Sequence, residues 1–144
     1  DVFSQGVQVQ FDETGEAEPS TMPILYLPLD KTTEVRIESR DVIHSFWIVE
    51  FLQKKDMIPG QTNYMSFTPT EAGEFMGKCA ELCGEYHASM LFKVVVLPQN
   101  EYDAKMSELL ASGELKPGSV GAEYNPNQEQ FFGDEAVAQN ENQR

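Results

Sequence analysis

Basic residues are scarce in this 144-residue chain: 10 Lys and Arg stand against 24 Asp and Glu, a formal charge of −14. A surface so short of cations is unsuited to a phosphate backbone or an anionic lipid face. That argues against a nucleic-acid binder and makes a basic protein the natural partner. Long apolar runs are also missing. No stretch approaches the ~20 apolar residues that span a bilayer. Ile43 to Leu52 is interrupted by His44 and Glu50, and Leu91 to Leu97 by Lys93. No charged-then-apolar leader is present, and the chain opens on Asp1 rather than Met. The expectation is a processed or truncated piece of a longer protein whose membrane anchor lies outside this sequence. Cysteine and histidine number two each, and tryptophan one.

What is present suffices for one domain. Hydrophobic residues make up 40% of the chain, enough for a single core, and the length leaves little room for a second. The acid lies at the ends. Residues 1–22 hold five acids and no base, and residues 99–144 hold nine acids and three bases, while 23–98 is nearly balanced. Solvated termini explain such runs.

Most of residues 1–98 reads as short strands. Val7, Val9 and Phe11 alternate with Gln8 and Gln10. Asp12 to Pro23 is a loop by composition. Ile24 and Tyr26 open a second strand, and Val35 and Ile37 alternate with charged residues in a third. Val42 to Leu52 is β-branched and aromatic, which predicts a partly buried strand. Pro59-Gly60 marks a turn. Further strands are expected around Tyr64 to Phe67, Glu74 to Lys78 and Leu91 to Leu97. Turns about every ten residues point to a sandwich or barrel.

One helix is expected over about 100–112, capped by Asn100 and stopped at Gly113. Tyr102, Met106, Leu109 and Leu110 form its apolar stripe, which should pack on the barrel. The domain is therefore expected over 1–116. Residues 117–144 read as a polar, acidic tail with Phe131 and Phe132 as exceptions.

The chemistry is concentrated in Cys79-Ala80-Glu81-Leu82-Cys83-Gly84-Glu85-Tyr86-His87-Ala88-Ser89-Met90. His44, the other histidine, lies 35 positions before Cys79. Every Cys and His of the protein can thus serve one site. Thiolate, imidazole and thioether together prefer copper, with zinc second. Tetrahedral zinc on Cys79, Cys83, His44 and His87 leaves Met90 without a role. A mononuclear copper site of two His, one Cys and an axial Met leaves one cysteine over. Two coppers sharing two bridging thiolates use the whole set. Against these stand blander readings: a disulfide between Cys79 and Cys83, a core histidine at His44 and a core methionine at Met90.

This string, with Asp41-Val42-Ile43-His44-Ser45-Phe46-Trp47 upstream and Asp56-Met57-Ile58-Pro59-Gly60 between, resembles the CuA domain of cytochrome c oxidase subunit II. The resemblance covers roughly residues 24–106. It implies an all-β, cupredoxin-like Greek-key β-barrel, to which the one C-terminal helix and the polar tail are added. It implies that Cys79 and Cys83 bridge two copper ions. His44 and Met90 would complete one copper, and His87 and the Glu81 carbonyl the other. The Glu81 side chain would help hold Mg2+ at subunit I, a hard ion suited to a carboxylate. The domain would accept single electrons from cytochrome c, or a cytochrome c domain, and pass them past His87 to haem a of subunit I. There oxygen is reduced to water and protons are translocated. The expected location is the periplasmic or equivalent extracytoplasmic face of a membrane.

Two departures and two alternatives belong with the resemblance. The family's electron-entry tryptophan lies in an early aromatic strand, where this chain has Val7 and Val9. Trp47 belongs to a different strand and reads as a core or rim aromatic. Asp41 and Glu85 are candidates for steering a basic cytochrome, although Asp41 also fits a turn aspartate. The alternatives are the CuA domain of a nitrogen-oxide reductase, against which Glu81 argues, and a non-redox extracellular β-domain held by a disulfide or zinc.

Overall fold

A computed structural model describes Thr14 and residues 22–113. The early strand of Val7, Val9 and Phe11, most of the following loop and the 117–144 tail lie outside the described residues. Seven strands and one helix follow in order: β1 (Ile24–Pro28), β2 (Thr33–Ile37), β3 (His44–Ile48), β4 (Gln53–Met57), β5 (Asn63–Phe67), β6 (Gly73–Cys79), β7 (Leu91–Leu97) and α1 (Gln99–Ser112). Five strands form one sheet in the order β1-β7-β6-β3-β4, and β2 pairs with β5 in a second. β1 runs parallel to β7, and the other pairs are antiparallel. The chain crosses between sheets at β1–β2–β3 and again at β4–β5–β6. The result is the expected cupredoxin-like fold, a mostly β half-barrel with one helix.

Strand alternation decides which side chains meet. Ile48, Val94, Val96 and Leu27 point from the large sheet toward Met65 and Phe67 of the small one. Phe46 and Phe92 stack at 5.1 Å between ring centroids beside this core. Phe92 reaches that place because Gly77, its register partner on β6, has no side chain. The turn at Pro59-Gly60 is present, with Gly60 at φ 75° and the Gln61 N–H donating to the Ile58 carbonyl at 3.0 Å.

Three expectations need correction. The Val42–Leu52 run is strand only over His44–Ile48. Val49–Phe51 is a 3-10 turn, and Leu52 takes a left-handed conformation at φ 55° with its side chain exposed. The reversal serves β4, a charged strand, Gln-Lys-Lys-Asp-Met, that hydrophobic pattern alone does not reveal. Among the described residues it lies at the sheet edge, where lysines discourage pairing with another chain. Asn100 is not the helix cap. Pro98 holds that position, and no side chain caps the end. α1 packs on β1 and β7 through Tyr102, Met106 and Leu109, but Leu110 stays exposed.

Glu38, just past β2, accepts hydrogen bonds from Arg36 Nε at 2.9 Å and from the Thr62 hydroxyl at 2.6 Å. Burial raises its pKa, but these bonds and the charges of Arg36 and Arg40 outweigh burial and leave it lowered. A lowered folded-state pKa stabilises above the unfolded carboxylate range and is lost as pH falls through it. Glu38→Gln should therefore cost ~0.5–1 kcal/mol near neutral pH, and the difference should close in acid. Urea midpoints of both proteins at pH 7 and pH 3 test this.

Candidate metal centre

The expected residues arrive from three places. His44 opens β3, Cys79 ends β6, and Cys83, His87 and Met90 lie in the connection to β7. Antiparallel pairing sets Phe46 opposite Cys79, which puts His44 at the same end of the sheet. The connection is tied at both ends. The Cys79 N–H donates to the Met90 carbonyl at 3.0 Å, and the Ala80 N–H donates to the Ser45 carbonyl at 2.9 Å. Gly84, at φ 138°, takes a conformation that side chains rarely adopt and turns the chain between Cys83 and His87.

These constraints bring the two sulfurs to 3.8 Å, and both cysteines are free thiols. The His44 Nδ1 lies 3.8 Å from Cys79 Sγ, and the His87 Nδ1 lies 3.6 Å from Cys83 Sγ. The Glu81 carbonyl oxygen is 3.2 Å from Cys79 Sγ, and Met90 Sδ is 3.3 Å from Cys83 Sγ. His44, Cys79 and Cys83 offer ligand atoms within 4.8 Å of one another. The Glu81 side chain is exposed. The cysteines and histidines are half-buried and Met90 is 40% exposed, so the cluster sits just under the surface.

The electrostatics split the two thiols. Burial opposes ionisation of Cys79, but backbone hydrogen bonds from Glu81 and Ser45 and the imidazoles of His44 and His87 outweigh it. The thiol falls to about 6. Burial, and then the neighbouring Cys79 sulfur, push Cys83 up. A cation close to both sulfurs removes that penalty.

Asp41 is the contributor that sequence pattern understated. Its Oδ1 accepts from His44 Nε2 at 2.7 Å. The bond holds Asp41 low and His44 high, in both cases against the effect of burial. A carboxylate only accepts, so the neutral ring carries its proton on Nε2 and turns the Nδ1 lone pair toward Cys79. The signal in the sequence is an aspartate three residues before a histidine. Asp41→Ala should lower metal affinity about 10- to 100-fold. It should also shift the metal-free His44 tautomer, read from its ring nitrogen NMR shifts. Unchanged shifts would leave Asp41 without this positioning role.

A half-barrel with a Cys, His and Met cluster at one end of its sheet defines a cupredoxin-like protein whose donor cluster suits a metal. The comparisons with known proteins agree. The family model for the periplasmic domain of cytochrome c oxidase subunit II matches residues 10–97. The chain belongs to that family. A probable cytochrome c oxidase subunit 2 of Streptomyces coelicolor is 50% identical over 92 residues, covering 64% of this chain and 29% of the relative. The chain thus spans under a third of the length of that relative. The solved periplasmic domain of subunit II of cytochrome oxidase (CoxB) of Bradyrhizobium japonicum is 28% identical, with a TM-score of 0.61 over 76% of each chain. A second solved structure, a mixed disulfide intermediate between a thioredoxin-like protein and subunit II of cytochrome c oxidase, is 32% identical. It covers 61% of this chain and 66% of that one, with a TM-score of 0.55. Family and cluster together fit a copper site.

Proposed function

We propose that this domain, over residues 1–116, is the electron-entry module of a terminal oxidase and holds a binuclear CuA centre. The observation that carries the reading is the pair of sulfurs 3.8 Å apart with an imidazole Nδ1 beside each, at 3.8 and 3.6 Å. Cys79 and Cys83 would hold the two metals as thiolates. His44 and Met90 would complete one metal, and His87 and the Glu81 carbonyl the other. When bound, the copper pair accepts and gives up one electron at a time. The protein's part is to hold the ligands still. β3 and β6 fix His44 and Cys79 through the sheet ladder, and the two backbone hydrogen bonds fix the ends of the connection. Asp41 holds the His44 ring.

On this reading the donor is cytochrome c or a cytochrome c domain, and the acceptor is haem a of subunit I, where oxygen is reduced to water. The exposed Glu81 carboxylate is free to help bind Mg2+ at that subunit. On this reading the domain lies on the periplasmic face. Among the described residues no helix is long and apolar enough to cross a membrane. The free thiols also suit a thioredoxin-like partner that keeps them reduced before metal enters, as the solved mixed disulfide of the relative suggests.

The test is to load the reduced protein with copper, count the metal and record absorption and electron paramagnetic resonance spectra. Two coppers per chain, a purple colour and one electron shared over both metals are expected. A single blue copper, or no copper with Cys79 and Cys83 joined, would overturn the proposal.

A further inference from the structure

The outer face of the large sheet carries an arrangement that the metal centre does not use. Trp47, the one tryptophan of the chain, points away from the core. Its register partners are Lys54 on β4 and Lys78 on β6, so a lysine stands on either side of the indole. Lys78 Nζ lies 4.9 Å from the ring centroid. Met76, on the same side of β6 as Lys78, is 39% exposed. An open groove of about 390 Å³ continues from Lys54, lined also by Lys55, Asp56, Ile58, Gln61 and Asn63. Among the described residues no acid pairs with Lys54, Lys55 or Lys78. In a chain of charge −14, Lys54 and Lys78 thus set two cations without an acid partner beside one aromatic ring, with Asp56 two residues along the same side of β4 and Lys55 on the other side.

We infer that this face is the docking site of the chain's own acidic C-terminal segment, Glu129-Gln130-Phe131-Phe132-Gly133-Asp134-Glu135. Two phenylalanines flanked by three acids complement an indole flanked by lysines. The segment lies beyond residues 10–97, which the family model matches, so the contact is a feature of this chain rather than of the shared domain. Reach favours it. α1 packs on β1 and β7 of the same face, with Lys105 over the Tyr26 ring. From β1 to β3 is three strand spacings, about 14 Å. The fifteen residues 114–128 extend up to ~50 Å. Tethering decides the choice of occupant. Two or three lysines and one ring attract a separate partner only weakly, but a linked segment meets them at an effective concentration on the order of millimolar. Docking would cover this cationic patch and leave a more uniformly acidic surface.

Trp47 is the sole indole, so its fluorescence reports this face directly. In the full chain, Phe131→Ser with Phe132→Ser should red-shift its emission and raise its acrylamide quenching about twofold, as expected when a mostly docked population opens. Lys54→Gln, which leaves the lysine stacked on the ring in place, should act in the same direction. The combined variant should add little, because all the changes break one contact. Raising sodium chloride to 1 M should reproduce the effect in the wild type and not in the variants. Unchanged quenching in the phenylalanine variant, with an unchanged circular dichroism spectrum, would overturn the inference. So would an effect that depends on protein concentration, which would make the occupant a second copy. An equal response to neutralising Asp12, Glu13, Glu16 and Glu18 would assign the face to the N-terminal acids and overturn it too.

Discussion

Replacing Cys83 by serine should abolish the proposed binuclear centre while leaving the fold intact. A serine hydroxyl stays protonated near neutral pH and is a hard donor, so it cannot replace a bridging thiolate. Purple absorption and the shared-electron resonance signal should both disappear, with bound copper falling to one per chain or fewer. Cys83 is half-buried in the β6–β7 connection and takes no part in the core cluster, so the unfolding midpoint of the metal-free variant should match that of the metal-free parent. Met90→Leu is the graded comparison. A thioether is the weaker ligand, and its loss should change the spectrum and potential while both metals stay bound. Two coppers and an unaltered spectrum in the serine variant would show that the dithiolate does not hold the metal.

Gly77→Ala should be the most damaging small change in the sheet. A methyl group on Gly77 would overlap the Phe92 ring, which has settled into the space the glycine leaves. Gly77 is buried, and Phe92 is held by its stack with Phe46, so neither strand gives way without repacking. Overpacking of this kind costs about 1–3 kcal/mol. For a domain of this size the melting temperature should fall by roughly 5–20 °C. The effect should reach the metal centre. Gly77 lies two residues before Cys79 on β6, and Phe46 is the register partner of Cys79. A displaced ring therefore disturbs the strand pair that carries His44 and Cys79. Adding Phe92→Leu should restore part of the lost stability by freeing the space. Equal melting temperatures for Gly77→Ala and the parent would remove this account of the Gly77–Phe92 pairing.

The candidate ligand set stood out in the sequence because its residues are local. Cys79, Cys83, His87 and Met90 fall within twelve residues, and no other Cys or His but His44 competes. The apolar strands were readable for a similar reason. Leu91–Leu97 buries Val94 and Val96 and announces itself by hydrophobicity. β4 was not readable. Its strand character comes from the hydrogen-bond ladder with β3, which any backbone supplies, and its side chains are mostly exposed charges. The missed cap at Asn100 has a related cause. Pro98 cannot donate a hydrogen bond and starts the helix one residue earlier, with Gln99 bonding to Asp103 instead. Leu110 falls in the helical stripe by spacing, yet among the described residues it is left 44% exposed.

Residue identity alone determined which donor types the candidate site can offer a metal: two thiols, two imidazoles and a thioether, a combination that prefers copper, with zinc second. It also determined the acidity of the chain and the order of its apolar strands. Tertiary structure decided the rest, because contact across 35 residues depends on strand register rather than on composition. Pairing Phe46 with Cys79 brings His44 to the sulfurs, and the turn before β3 carries Asp41 back onto the ring. The same register that directs His44 to the metal end sends Trp47 to the opposite face between two lysines, since side chains alternate along a strand.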